Sequence, residues 1–217
     1  IVILMDGLAL HRFQNWLKNA PVWNTLIKEG VLAPLTSVVP STTSSALTTL
    51  WTGCSPAQHG IIGYEMFTKE FSMISNMILH APMTFSNDIG GLERAGFAAE
   101  EFLPVPTFGP HLKAHGLTPY GFMHYSIANS GLSRMFMRDV DIIPIETPAS
   151  TWVGIRQLIE AHPDERQYIW TYWSAVDGIS HFHGPDDERV PAEFSSYSRA
   201  FEEFFLNQLN PQLRQGT

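Results

Sequence analysis

The sequence predicts an α/β fold with a mostly parallel sheet and helices on both of its faces. Apolar runs of strand length alternate with segments that repeat their apolar residues at helical spacing. Two of these runs, IVILMDG at the start and QYIWTYWSAVD at 167–177, are almost continuously apolar and reach an aspartate at or near their end. Such runs are typical of strands buried on both faces, as in parallel sheets. Because ligand sites lie beyond the carboxyl ends of such strands, Asp6 and Asp177 become candidate functional residues.

The remaining elements are predicted in chain order from the same patterns. Residues 64–105 lack a firm period and contain the loop-like SNDIGGLERAG, so this segment is interpreted as an insertion that lines or covers a site. Elsewhere the spacing predicts a helix from Pro21 to Glu29 ending at Gly30, a strand at 31–39, a helix from Ser44 to Trp51 closed at Gly53, a helix at 107–115, a strand at 120–126, a helix at 151–161 with Ser150 available as its cap, and a helix at 191–209.

Composition limits the classes of protein to consider. With 217 residues and 44% hydrophobic residues, the chain can form one sizeable domain over 1–217. A net charge of −8 argues against a nucleic-acid-binding surface, which is usually basic. Cys54 is the only cysteine, which excludes an internal disulfide and a cysteine cluster for a metal. No apolar run reaches the roughly 20 residues of a membrane span. Because the sequence begins inside a predicted strand, N-terminal residues are expected to be missing, and localisation and oligomeric state stay open.

A carboxylate and an imidazole occur together in VDGISHFHGPDD, residues 176–187. Asp177 and His181 are four residues apart, so one helical turn would place both on one face. This pair suits zinc, and also manganese or iron. Two ordinary interpretations compete with a metal site: Asp177 caps a turn beside solvated histidines, and Asp6 with Gly7 forms a simple turn after the strand.

A run of hydroxyl side chains, PSTTSSALTTLWTGCSPAQHG at 40–60, leads into the predicted helix at 44–51. These residues serve either as helix caps and turn formers or as the source of a nucleophile. A metal ion lowers the pKa of a bound hydroxyl, and a helix N-terminus favours an anion such as phosphate. Together with the two aspartates and His181, the run favours a metal-activated hydroxyl.

These motifs resemble the nucleotide pyrophosphatase/phosphodiesterase branch of the alkaline phosphatase superfamily. The resemblance spans nearly the whole chain, is loose over 64–150, and rests on the following positions: Asp6 after the first strand, Pro40 three residues before Thr43, Thr52-Gly53, Pro56, His59-Gly60-Ile61, and Asp177, His181 and Gly184-Pro185. It implies a three-layer α/β/α sandwich with a mostly parallel sheet. It also implies that His59 is a structural residue of a turn.

The resemblance implies a hydrolase of phosphate esters that uses two divalent metal ions. Thr43 would be the nucleophile, although Thr42, Ser41 and Ser44 are adjacent hydroxyls. Asp6 and Thr43 would hold one ion, and Asp177 and His181 the other. Zinc is the metal favoured, with manganese as the alternative. The implied substrate is a small phosphate ester or a nucleotide.

Two departures from the family pattern leave the substrate class open. Tyr64 stands where the family has an asparagine that binds a phosphoryl oxygen, and the expected C-terminal Asp-His-Gly and a further histidine do not occur before Thr217. The chain is therefore interpreted as incomplete at its C-terminus. The alternatives are a phosphonate hydrolase or phosphomonoesterase of the same superfamily, and a non-catalytic binding protein that retains the fold. A phosphomutase usually has a serine nucleophile, and a sulfatase motif is missing around Cys54.

Overall fold

Strands and helices alternate along the chain in the computed structural model, which describes residues 1–85 and 87–214. In chain order they are β1 Val2–Met5, α1 Leu10–Trp16, α2 Pro21–Glu29, α3 Thr43–Thr52, α4 Pro56–His59, β2 Glu65–Thr68, β3 Met73–Asn76, β4 Ala81–Pro82, α5 Gly91–Arg94, α6 Ala99–Phe102, α7 Phe108–Ala114, β5 Thr118–His124, α8 Tyr125–Ala128, α9 Gly131–Phe136, β6 Asp141–Ile145, α10 Pro148–Ala161, β7 Gln167–Trp173, α11 Ala175–His183, α12 Arg189–Phe201 and α13 Pro211–Arg214.

The elements form two compact units. The sheet unit comprises Ile1–Leu35, Tyr120–His124 and the chain from Ile142 onward. The hairpin unit comprises Thr36–Pro119 and Tyr125–Asp141. Within the described residues, no helix combines the length and the apolarity that crossing a membrane requires.

The sheet unit contains a mostly parallel sheet with the strand order β1-β7-β5-β6. β1 and β7 are far apart in sequence but pair in parallel, from Val2 opposite Trp170 to Met5 opposite Trp173. Parallel neighbours need a long crossover, and helices α1, α2 and α10 of this unit lie in the intervening chain. The predicted α/β fold class is confirmed.

The core of the sheet unit lies between the sheet and helices α10 and α12. Trp152 of α10 is fully buried, and its ring centroid lies 4.4 Å from that of Phe201 in α12. Thr147, and not the predicted Ser150, is the N-cap of α10, because its hydroxyl accepts a hydrogen bond from the backbone of Ser150. Ser150 instead completes a capping box, and Pro148 starts the helix where an N–H would have no intrahelical partner.

The hairpin unit contains an antiparallel sheet with the order β2-β3-β4. Glu65 pairs with Asn76 at one end of the β2–β3 hairpin. In the helical part of the unit, Trp51 of α3 is buried and stacks against Phe136 of α9 at a centroid distance of 6.1 Å. The segment 64–105, predicted to be irregular, therefore holds three short strands that its sequence pattern did not reveal.

Three predicted elements differ from the structure. The strand predicted at 31–39 does not form: within the described chain these residues pair with no strand, and Val31 and Leu35 are 91% and 90% exposed. An apolar run becomes a strand only where a neighbour accepts its backbone hydrogen bonds. The strand at 167–177 ends at Trp173, since the backbone turns into α11 and Gly178 donates to the carbonyl of Ser174. The helix at 191–209 is α12 followed by a π-helical turn.

Candidate functional site

Asp6 lies directly after β1 and is held by its neighbour in the sheet, β7. Its backbone N–H donates to the carbonyl of Trp173 at 3.0 Å, so the parallel pairing continues to this residue. Its carboxylate oxygen Oδ2 accepts a hydrogen bond of 2.6 Å from the hydroxyl of Tyr172, whose side chain is buried. The carboxylate is therefore oriented at the carboxyl end of the sheet. No signal in the sequence marks Tyr172, because it lies inside an apolar strand and belongs to no motif.

Gly7 brings the segment after β1 into close contact with α11. Its backbone has φ +68°, and a Cβ atom added to it would lie 2.9 Å from the Cα of Asp177. Only glycine adopts this conformation easily and leaves room for the other backbone. Arg12 supports the turn, since its Nη1 donates to the carbonyl of Gly7 at 2.9 Å. Asp6 and Gly7 therefore form a turn, as one of the two interpretations predicted. This turn also brings the chain after Asp6 close to Asp177.

Asp177 and His181 share one face of α11, as their spacing predicted. Nε2 of His181 lies 3.3 Å from Oδ2 of Asp177, and the two side chains are 78% and 33% exposed. Burial raises the pKa of Asp177, as does the negative charge of Asp6, while the charges of His181 and Arg12 act in the opposite direction. A cation bound here would relieve the repulsion between the two carboxylates. Carboxylate and imidazole are donor types that a divalent metal ion accepts, but within residues 1–85 and 87–214 no group of three or more His, Cys, Asp or Glu is arranged to hold one.

In the hairpin unit, the hydroxyl run begins α3, and its members have different partners. Thr42 is the N-cap, with its hydroxyl accepting from the backbone N–H of Ser45. Ser44 and Ser45 are buried and donate to the carbonyls of Gly63 and Ile61, both at 2.7 Å. Thr43 is the first residue of the helix and is partly exposed. The neighbouring hydroxyls therefore have structural roles, and they fix the segment 61–63 beside the start of α3.

His59 is a structural residue of the turn after α4. Its side chain is fully buried. Nδ1 accepts a hydrogen bond of 3.1 Å from the backbone N–H of Ile61, and Nε2 lies 3.0 Å from the hydroxyl of Thr49. Since Nδ1 accepts, the proton of the neutral ring is on Nε2 and is donated to Thr49. Burial lowers the pKa of His59, so the ring stays neutral.

Tyr64 stands at the entrance to the β2–β3 hairpin with 43% of its surface exposed. Its hydroxyl accepts a hydrogen bond of 2.7 Å from Nδ2 of Asn76. Only the family pattern points to Tyr64 in the sequence, and no sequence signal marks Asn76, because the two residues meet through strand pairing. Asp6, Asp177 and His181 are thus gathered in the sheet unit, and Thr43 and Tyr64 belong to the hairpin unit.

Comparison with solved structures shows which class of fold this is. Murine ectonucleotide pyrophosphatase/phosphodiesterase 5 superposes with a TM-score of 0.64 at 17% identity, over 94% of this chain and 50% of that one. An inactive variant of the same protein in complex with AMP gives a TM-score of 0.67 at 17% identity, over 98% and 52%. Phosphonoacetate hydrolase from Sinorhizobium meliloti 1021, in complex with phosphonoacetate, gives 0.62 at 16% identity, over 96% and 53%. The chain shares the fold of these proteins and spans about half of their length.

Sequence comparison then identifies the family. The model of the type I phosphodiesterase/nucleotide pyrophosphatase family matches residues 1–212. The chain therefore belongs to the type I phosphodiesterase/nucleotide pyrophosphatase family. No curated protein matches the chain significantly in sequence.

Proposed function

We propose that the protein hydrolyses phosphate esters as a type I phosphodiesterase/nucleotide pyrophosphatase, with Thr43 as nucleophile and two bound divalent metal ions. The observation that carries this proposal is the close approach of Gly7 to Asp177 of α11, which leaves the charge of Asp6 near enough to raise the pKa of Asp177, with His181 beside Asp177 on the same helix. It occurs in a chain whose family match runs almost from end to end. A nucleotide or another small phosphate ester is the proposed substrate.

The proposed metal ligands are Asp6 and Thr43 for one ion, and Asp177 and His181 for the other. The family is generally metal-dependent, and carboxylate and imidazole donors are those that zinc and manganese accept. Bound ions would supply charge neutralisation and a lower pKa for a hydroxyl group. Tyr172 would keep the Asp6 carboxylate in position through its 2.6 Å hydrogen bond.

In the proposed reaction, the hydroxyl oxygen of Thr43 forms a bond to phosphorus and its proton passes to solvent. The bond between phosphorus and the leaving oxygen breaks, and that oxygen leaves with the electron pair and takes up a proton. Water then attacks the phosphorus of the covalent intermediate, the bond between phosphorus and the Thr43 oxygen breaks, and that oxygen takes up a proton. A monoester substrate releases phosphate in this step, and a diester substrate releases a phosphate monoester. The start of α3 supports this role, because N–H groups at a helix N-terminus stabilise the negative charge of a phosphoryl group.

The nucleophile is tested with bis-p-nitrophenyl phosphate and a dinucleotide as substrates of the full-length protein. Thr43→Ala should reduce hydrolysis to background, whereas Thr42→Ala, which removes the cap of the same helix, should lower stability by about 1 kcal/mol and keep most activity. Full activity of Thr43→Ala would reject the assignment. Hydrolysis of phosphonoacetate in place of the diesters would favour the phosphonate hydrolase alternative.

The metal ligands are tested by metal analysis after dialysis of the full-length protein. About two ions per chain are expected, and His181→Ala should lose metal, while His183→Ala serves as the matched control on the same helix. Equal metal content in His181→Ala and the unmodified protein would show that His181 is not a ligand. A protein that binds no metal at saturating zinc or manganese would favour the non-catalytic alternative.

A further inference from the structure

We propose that Asn76 positions the hydroxyl of Tyr64 so that its hydrogen is directed to an anionic oxygen of the substrate's phosphoryl group. In this role Tyr64 is the donor that contacts substrate, and Asn76 is a positioning residue. The inference rests on the proposed function for the identity of the ligand, and on the hydrogen bonds of the hairpin unit for the direction of the donor.

The side-chain amide of Asn76 has only one orientation that satisfies its surroundings. The residue is buried, and its oxygen Oδ1 accepts from the backbone N–H groups of Ile78 at 2.9 Å and Leu79 at 3.0 Å. Rotating the amide by half a turn would place its NH₂ group against these two N–H donors and leave both of them without an acceptor, which is unfavourable. The Nδ2 group must therefore face Tyr64.

The orientation of Asn76 sets the direction of the Tyr64 hydroxyl. An amide nitrogen donates hydrogen bonds and does not accept them, so in the 2.7 Å contact the phenol oxygen is the acceptor. The phenol hydrogen must then point away from Asn76. Because 43% of Tyr64 is exposed, the hydroxyl has access to a ligand.

The backbone around Tyr64 ties this donor to the start of α3. The carbonyl of Tyr64 accepts from the N–H of Met77 at 2.8 Å, which holds it to the residue after Asn76. The preceding carbonyl, that of Gly63, accepts from the hydroxyl of Ser44 at 2.7 Å. Ser44 follows Thr43, the proposed nucleophile, and Gly63 precedes Tyr64, the proposed donor. The hydrogen bond between Ser44 and Gly63 therefore links the neighbours of these two residues.

A phosphoryl oxygen is the ligand that this arrangement fits. The donor is neutral, partly exposed, and fixed in direction before the ligand arrives, which is the property of groups that stabilise developing negative charge. An asparagine side chain would donate from a shorter reach. Here the hydroxyl of Tyr64 is the donor, and the hydrogen bond from Asn76 sets its direction.

The inference is tested by comparing Tyr64→Phe, Asn76→Asp and the double variant. Phenylalanine keeps the ring and removes the donor, so kcat/KM for bis-p-nitrophenyl phosphate should fall about 100-fold, mainly in kcat. Aspartate has the shape of asparagine and still accepts from Ile78 and Leu79, but its second oxygen takes the phenol hydrogen. Asn76→Asp should therefore cost a similar factor, and adding Tyr64→Phe to it should cost little more.

Binding of inorganic phosphate, measured by calorimetry, gives a second reading that does not depend on turnover. Both single variants should bind phosphate about tenfold more weakly, while the urea concentration at the unfolding midpoint of Tyr64→Phe stays that of the unmodified protein. If Thr43→Ala is inactive and Tyr64→Phe keeps full kcat/KM and phosphate affinity, the inference is wrong and the proposed function stands. If no ester is hydrolysed but phosphate binding weakens as expected, the proposed function fails and the donor role stands. Losses that multiply fully in the double variant would show that Asn76 acts independently of Tyr64.

Discussion

Replacing His59 by alanine should destabilise the protein without removing a catalytic group. The buried N–H of Ile61 would lose its acceptor, at a cost of about 2 kcal/mol, and the hydroxyl of Thr49 would lose its donor, at a cost of about 1 kcal/mol. The free energy of unfolding should therefore fall by about 3 kcal/mol. Urea unfolding followed by tryptophan fluorescence measures this change, and His11→Ala, on an exposed position of α1, is the matched control with an expected change within about 0.5 kcal/mol.

The same residue predicts how stability depends on pH. Burial lowers the pKa of His59, so the folded protein holds the proton less tightly than the unfolded chain does. The stabilisation is complete above the ordinary histidine value of 6.5 and is lost as the pH falls toward the lower value of the folded state. Protonation at Nδ1 also breaks the bond from Ile61. His59→Ala should remove this part of the pH dependence. Unchanged stability in His59→Ala, or an unchanged slope between neutral and mildly acidic pH, would refute the structural role.

Three further predictions concern other contacts of the two units. Gly7→Ala forces a side chain into a left-handed turn and against the backbone of α11, so the free energy of unfolding in urea should fall by about 2–4 kcal/mol. Gly178→Ala is the control, because an added Cβ would meet open space there; its free energy of unfolding should stay unchanged or rise by up to about 1 kcal/mol. Tyr172→Phe should weaken zinc retention about tenfold in competition with a chelator, since the carboxylate of Asp6 loses its 2.6 Å hydrogen bond; unchanged retention would contradict its positioning role. Burial alone would raise the pKa of Glu93, but hydrogen bonds from His80 and Arg134 lower it below the ordinary value of 4.5. The free energy of unfolding should therefore fall as the pH drops through the acid range, and it should fall less in Glu93→Gln.

Most of the regular elements could be predicted from the sequence because their signals are local. The apolar run before Asp6 is β1, and the helix predicted from Pro21 to Glu29 has those bounds in the structure. The four-residue spacing of Asp177 and His181 predicted a shared helical face, and α11 provides it. The strand expected at 31–39 does not form, because a strand also depends on a partner distant in the chain. An apolar composition does not supply the neighbouring strand that a sheet requires.

The candidate site shows the same division between local and long-range information. Asp6, Asp177 and His181 could be proposed from strand ends and from local spacing, and Thr43 and Tyr64 from the resemblance to the family's motifs. Their supporting contacts have no such signature. Tyr172 reaches Asp6 across 166 residues of chain, and Asn76 reaches Tyr64 through a hairpin whose strands the sequence did not reveal.

The sequence by itself determined the fold class, the positions of most helices and the residue types available for phosphate-ester chemistry, since these follow from periodicity and from short motifs. Only the tertiary structure decided that Gly7 lies against Asp177 of α11, that the hydroxyls of Ser44 and Ser45 donate to backbone carbonyls, and that the hydrogen of Tyr64 points away from Asn76. Hydrogen-bond direction and close backbone approach depend on partners distant in the chain, and those partners are chosen by packing and strand pairing.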